Sequence, residues 1–115
     1  MIPKLSGAKK DNSNEWLKAG LRRRFLPADA HVLDLFCGSG EMYRRAYEGK
    51  TSSYHGVDKA KVHDPAKCTL INNAIFVARN DMDRYNVFDL DDYGCPWALL
   101  YQILRKRSAG RITVF

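Results

Sequence analysis

Residues 32–40 constrain the fold of this chain most strongly, because an apolar strand runs directly into a turn that contains two glycines. The run Val-Leu-Asp-Leu-Phe-Cys-Gly-Ser-Gly lacks polar alternation, which is typical of a central parallel strand buried on both faces. Gly38 and Gly40 allow a sharp bend and the close approach of a ligand to backbone N–H groups. A second apolar strand, residues 54–57, ends in Asp58. An acid there accepts hydrogen bonds from ribose hydroxyls in doubly wound folds, so the two features predict a nucleoside site.

The rest of the sequence alternates between strand and helix patterns. Strands are predicted at residues 31–36, 54–57, 68–71, 86–90 and 111–115, and helices at 15–25, 40–48, 74–79 and 97–108. In the first helix, Asn14 is the predicted N-cap, and Trp16, Leu17, Leu21 and Phe25 share one face. The alternation predicts an α/β fold with a Rossmann-like, doubly wound and mostly parallel sheet of about five strands in the order 3-2-1-4-5.

Length and composition indicate one globular domain. The chain has 115 residues, of which 45% are hydrophobic. Residues 1–14 are predicted to be a flexible basic and polar arm, and residues 15–115 to be the folded domain. No apolar stretch approaches the roughly 18 residues of a membrane span, and no secretory signal precedes the domain. Three cysteines without a Cys-x-x-Cys spacing favour a reducing, cytoplasmic compartment and no metal site.

The charge balance favours a polyanionic partner. The formal net charge is +6, and basic residues cluster at 22–24, at 59 and 61, and at 105–107. Such a balance is typical of proteins that bind RNA or DNA. Basic side chains that only solvate helix surfaces would produce the same composition, so charge alone leaves both interpretations open.

A third cluster occupies residues 89–97, which read Asp-Leu-Asp-Asp-Tyr-Gly-Cys-Pro-Trp. The fourth strand should carry it to the carboxyl edge of the sheet, where open α/β sheets bind ligands. A carboxylate can accept a hydrogen bond from an amine, and Tyr93 or Trp97 can stack on a flat base. Alternatively, this cluster is only a polar connector, and Trp97 begins the core face of the next helix.

These three motifs, in this order, resemble the class I S-adenosylmethionine-dependent methyltransferases over about residues 15–115. The resemblance implies that S-adenosyl-L-methionine is the cofactor. The residues it assigns to the methionine end of the cofactor are Asp34, Phe36, Gly38, Ser39 and Gly40. It assigns Asp58 to the ribose and Asn73, the residue that opens the segment after the third strand, to the adenine amine.

The cluster at residues 89–96 narrows the resemblance to the tRNA (guanine-N2) dimethyltransferases. Their Asp-hydrophobic-Asp-Pro-Phe-Gly-Ser-Pro stretch implies that Asp91 faces an exocyclic amine and that Tyr93 packs on the base. Asp92 stands where that family has proline, and Cys95 where it has serine. The implied activity is direct methyl transfer to a nucleic acid base, with tRNA or another RNA favoured over DNA.

The end of the sequence at the fifth strand leaves three interpretations, because a full class I fold has a further strand hairpin. The chain is part of a longer enzyme, or it forms a homodimer through the edge of strand five. Alternatively, it is a non-catalytic module that binds a nucleoside or assembles with a partner. A dinucleotide oxidoreductase is disfavoured, because Tyr43 stands where such a site needs a third glycine.

Overall fold

A computed structural model describes residues 12–91 and 96–115, and its centre is a five-stranded parallel sheet. The strands are β1 (His31–Asp34), β2 (Ser53–Asp58), β3 (Cys68–Leu70), β4 (Val87–Asp89) and β5 (Thr113–Val114). Their order is β3-β2-β1-β4-β5, which confirms the predicted topology. Because β1 pairs with both β2 and β4, Asp34 lies level with Gly56 on one side and with Asp89 on the other.

Helical segments cover both faces of the sheet. They are α1 (Asn12–Phe25), a π-helical segment (Tyr43–Tyr47), α2 (Asn73–Arg79), a 3-10 turn (Met82–Arg84) and α3 (Trp97–Lys106). On one face, Leu33, Phe88 and Ile103 belong to a large apolar core with α2 and α3. On the other face, a smaller core joins Ala19 of α1 and Tyr47 to Val32 of β1. The connections therefore place the carboxyl ends of the strands at one edge, as a doubly wound fold requires.

Helix α1 differs from its prediction in two ways. Asn14 lies within the helix, so it is not the N-cap. The predicted apolar face points outward: Leu17 is 66% exposed, and Trp16, Leu21 and Phe25 are also exposed. The core-facing side chains are Ala19 and Arg22 instead. The small Ala19 lets the helix approach closely, and Arg22 reaches a buried carboxylate that a sequence pattern cannot reveal.

The helix predicted for residues 40–48 is mostly one wide π-helical turn. The Glu48 N–H donates to the carbonyl of Tyr43 over 2.8 Å, and the segment buries both Ala46 and Tyr47. Gly49 follows the segment with a φ of +75°. In the described part of the chain, every helix is too short or too polar to cross a bilayer.

Candidate nucleoside site

The glycine turn after β1 and the acid at the end of β2 meet at the carboxyl edge of the sheet. The Gly38 N–H donates to Oδ2 of Asp58 over 3.0 Å, and Gly38 and Gly40 have φ of +51° and +85°. The other oxygen of Asp58 accepts from the N–H groups of Ala60 and Lys61 over 2.8 and 3.3 Å. Since a carboxylate offers about four acceptor positions, Asp58 keeps capacity for a further hydroxyl.

Asp34 lies beneath the turn rather than within it. Its side chain is buried, accepting from the Tyr54 hydroxyl over 2.9 Å and from the Phe36 N–H over 3.3 Å. Burial, followed by the nearby charge of Asp89, raises the pKa of Asp34 to about 8. Asp34 therefore holds a proton to higher pH than an exposed aspartate does, and it supports the turn from below. Phe36 itself is half-buried and packs against the larger core.

The position over Gly40 is filled by an imidazole ring. A methyl group placed on Gly40 would lie 2.5 Å from Cγ of His63 and 3.0 Å from Nη1 of Arg44. The rings of Tyr43 and Tyr54 lie near the same imidazole, with centroids 5.5 and 6.3 Å from it. Asp58 keeps an acceptor position at this edge, whereas a ligand that contacted the whole turn would have to displace His63. Ser39, between the glycines, is exposed.

Asn73 reaches the same edge from α2, which begins at this residue. Its Nδ2 donates to the carbonyl of Leu35 over 3.3 Å, so the side chain spans from α2 to the end of β1. The helix is capped by Asn72, whose Oδ1 accepts from the N–H groups of Ala74 and Ile75. The structure therefore places Asn73 beside the residues that follow β1 and lead into the glycine turn.

Behind the end of β4 lies a buried ionic cluster. Arg22 donates from Nε and Nη2 to the two oxygens of Asp89 over 2.7 and 2.9 Å, and the Tyr47 hydroxyl donates to Oδ2 over 2.6 Å. Burial alone would lower the pKa of Arg22, but the hydrogen bond and charge of Asp89 outweigh it and raise that pKa. Burial and the same carboxylate raise the pKa of Tyr47. The guanidinium is therefore permanently charged.

Asp91 lies at one end of an adjacent cavity of about 500 Å³. Its carboxylate is 3.1 Å from Nζ of Lys18 and 3.4 Å from Nη2 of Arg22, and it stays 31% exposed. The other cavity walls are largely apolar and include Leu21, Leu90, Pro96, Trp97, Leu100, Val114 and Phe115. The predicted partner Tyr93 lies outside the described residues, as do Asp92 and Cys95.

The basic clusters are not uniformly available to a polyanion. Arg22 is buried against Asp89, and Lys106 donates to the carbonyls of residues 77, 78 and 80 at the end of α2. Arg23 and Arg24 are exposed, although Arg23 also donates to the carbonyl of Arg45. Arg22 is therefore a structural residue, so its place in a basic run does not make it available to a polyanion.

The sequence analysis missed a group of three potential metal ligands beside the turn. The three residues are Cys37, His63 and Cys68. Each offers one ligand atom, and these three atoms all lie within 4.8 Å of one another. The prediction of no metal site rested on the lack of a regular spacing, but these residues come from the turn after β1, the loop after β2 and the start of β3. Only the four-residue interval between His63 and Cys68 could have pointed to them.

The fold and these contacts define a Rossmann-like α/β domain in which a glycine turn and an acid meet at the carboxyl edge of the sheet. No family model matches the sequence, and no curated protein was found to be similar to it.

Proposed function

We propose that this chain is an S-adenosylmethionine-dependent methyltransferase, or the cofactor-binding part of one, that acts on an exocyclic amine of a nucleic acid base. The observation that carries the proposal is the hydrogen bond from the glycine turn to Asp58. A separate cavity lined by Asp91, which follows the neighbouring strand β4, supports it. A tRNA guanine is the favoured acceptor on the motif resemblance, and the net charge of +6 supports an RNA partner. The free thiols of Cys37 and Cys68 support a cytoplasmic location.

The cofactor would be held by residues from three strand ends. Asp58 would accept from a ribose hydroxyl with the acceptor capacity that Gly38, Ala60 and Lys61 leave. Asn73 would contact the adenine amine through its Oδ1, since its Nδ2 is used by the carbonyl of Leu35. When bound, S-adenosylmethionine supplies an electrophilic methyl group.

The acceptor base would occupy the cavity beside Asp91. Trp97 and Phe115 line it and can stack against a flat base, while Leu21 and Leu90 exclude water. Asp91 would accept a hydrogen bond from the exocyclic amine, orient its lone pair and take up the released proton. Lys18 and Arg22 hold the carboxylate in place for this role. A base within a duplex must first be unstacked to enter.

Calorimetric titration and a methyl-transfer assay test the proposal in sequence. S-Adenosylmethionine should bind the wild-type chain, and Asp58→Ala should weaken binding by about 10- to 100-fold, the loss expected for charge-assisted hydrogen bonds. Asp91→Ala should abolish methyl transfer to bulk tRNA while leaving cofactor affinity within a few-fold. Glu48→Ala, an exposed carboxylate at the far end of the π-helical segment, is the control and should change neither.

No binding at millimolar cofactor would overturn both the enzyme and the binding-module proposals. Methyl transfer that persists in Asp91→Ala would remove Asp91 from the catalytic role but leave the cofactor site. Binding without transfer to any RNA in the wild-type chain would favour the non-catalytic module.

A partner-assembly role is the second candidate, because the outer faces of α1 and α3 carry large exposed apolar side chains. Leu17 and Leu21 of α1 and Trp97 and Tyr101 of α3 are all about half exposed or more, and Trp97 reaches 68%. Such patches on a small domain mark interaction surfaces. A homodimer through the edge of β5 is one form of this role, and sedimentation at several protein concentrations tests it.

A further inference from the structure

The side chains of Cys37, His63 and Cys68 converge beside Gly56 of β2. Sγ of Cys68 lies 3.3 Å from Nε2 of His63, and all three ligand atoms fall within 4.8 Å of one another. Cys37 belongs to the glycine turn, Cys68 begins β3, and His63 lies in the intervening loop. These residues thus tie the loop after β2 to the turn after β1.

The spacing suits a tetrahedral zinc ion. Zinc–sulfur and zinc–nitrogen bonds of about 2.3 and 2.1 Å place sulfur and nitrogen ligands roughly 3.5 Å apart, and two sulfurs roughly 3.8 Å apart. The distance from Cys68 to His63 is already close to that value. Two thiolates and one imidazole form a ligand set that selects zinc over magnesium or calcium, which prefer oxygen.

The surrounding structure leaves room for the two sulfurs. Gly56 of β2 lies between them, and a methyl group placed there would be 2.8 Å from Cβ of Cys37 and 2.8 Å from Sγ of Cys68. Both cysteines are buried, whereas His63 is only half-buried and lies in a loop at the surface, which supplies an entry path. The glycine is therefore what allows both thiols to approach a common centre.

We propose that Cys37, His63 and Cys68 bind one zinc ion that fastens the loop of residues 59–67 to the glycine turn. Three protein ligands leave the fourth tetrahedral position to water, as in sites that stay open. Binding releases the two thiol protons to solvent, so no oxidant or reductant takes part. This inference is argued from the three side chains alone and does not require the proposed methyltransferase activity.

Metal titration of the reduced full-length chain tests the proposal. Zinc should bind in a one-to-one ratio with submicromolar affinity, measured by competition with a chromogenic chelator. Cobalt substituted for zinc should give the thiolate-to-cobalt charge-transfer band and the intense visible bands of tetrahedral coordination. Thermal unfolding should shift upward with zinc and return with a chelator.

Single-ligand variants locate the ion. Cys37→Ser, Cys68→Ser and His63→Gln should each weaken zinc binding by on the order of 100-fold or more, at least the loss produced by removing outer-shell partners. His63→Gln is the variant best able to fold, since its side chain lies in a surface loop. His55→Gln is the matched control, because that imidazole bonds to Thr69 and lies outside the cluster. Cys95 is kept in every variant and so cannot explain a loss.

Zinc affinity weaker than micromolar, a cobalt spectrum without the charge-transfer band, or affinity unchanged in His63→Gln would each overturn the proposal. So would a Cys37–Cys68 disulfide that persists in excess phosphine reductant. S-Adenosylmethionine titrations on the same samples keep the two proposals separate, since failure of either leaves the other measurement intact.

Discussion

The guanidinium of Arg22, in the first helix, donates two hydrogen bonds to the buried carboxylate of Asp89 at the end of β4, over 2.7 and 2.9 Å. The Tyr47 hydroxyl adds a third at 2.6 Å. The contact joins the N-terminal helix to the strand that leads to Asp91, and Arg22 also lies 3.4 Å from the Asp91 carboxylate. The integrity of the domain and the position of its candidate catalytic residue therefore depend on the same pair.

Removing the arginine should destabilise the domain strongly. Arg22→Met leaves the Asp89 charge buried without its main partner, which costs about 3–5 kcal/mol of unfolding free energy. Adding Asp89→Asn to this variant removes the unpaired buried charge, so it should restore at least about 1 kcal/mol of the lost unfolding free energy. Urea unfolding followed by circular dichroism measures both. Arg24→Met, at an exposed neighbour, should stay within about 0.5 kcal/mol of wild type. Additive losses in the double variant would contradict this account.

Gly56 should tolerate no side chain. In Gly56→Ala, the added methyl would lie 2.8 Å from atoms of both Cys37 and Cys68, closer than such contacts allow. We expect overpacking to lower the unfolding free energy by about 1–3 kcal/mol. Gly20→Ala in α1 is the opposite case, because its nearest neighbour would be 3.9 Å away and alanine favours a helix by up to about 1 kcal/mol. Equal effects of the two substitutions in chemical unfolding would refute the steric argument.

Stability should fall as pH rises because of Asp34. Its pKa is about 8 in the folded protein against an ordinary value of 3.8, so the folded state holds a proton that the unfolded chain releases between these values. This stabilisation is full below pH about 4 and is lost as pH rises through about 8.

The comparison with Asp34→Asn, which mimics the protonated side chain, isolates this effect. The stability of the variant relative to wild type should grow with pH between about 4 and 8, by at most about 1.4 kcal/mol per unit. Tyr54→Phe removes a hydrogen bond that lowers the pKa of Asp34, so the loss should then extend to higher pH. A difference that shows no slope over this range would mean that Asp34 is ionised in the folded state.

The imidazole over the glycine turn should oppose cofactor binding. Because His63 covers Gly40, His63→Ala should raise the affinity for S-adenosylmethionine several-fold, measured calorimetrically with a chelator present. His55→Ala, which changes an imidazole bonded to Thr69, should leave the affinity unchanged. This prediction rests on the proposed function. Weaker binding in His63→Ala would indicate instead that the ring contributes to the site.

Much of the architecture could be predicted from the local pattern of residues. The unbroken apolar run around Leu33, the glycines after it and the acid at Asp58 identified the central strand, the turn and the neighbouring strand. Alternating strands and helices then predicted the strand order that the structure has. Each of these features is encoded in a short local stretch of the chain, where periodicity and turn chemistry act.

The side-chain contacts could not be read in this way. The prediction for α1 did not identify the face that packs against the core. That face includes Arg22, whose burial depends on Asp89, 67 positions further along the chain. The cluster of Cys37, His63 and Cys68 likewise arises from parallel pairing of separate strands.

The sequence by itself determined the class of fold and the edge of the sheet where a ligand would bind, because local backbone preferences and hydrophobic period set the elements and their order. Only the tertiary structure decided that Asp34 is buried and has a raised pKa, that His63 covers Gly40 and that two thiols meet beside Gly56. Those properties depend on distances and desolvation between residues far apart in the chain, and a one-dimensional pattern carries neither.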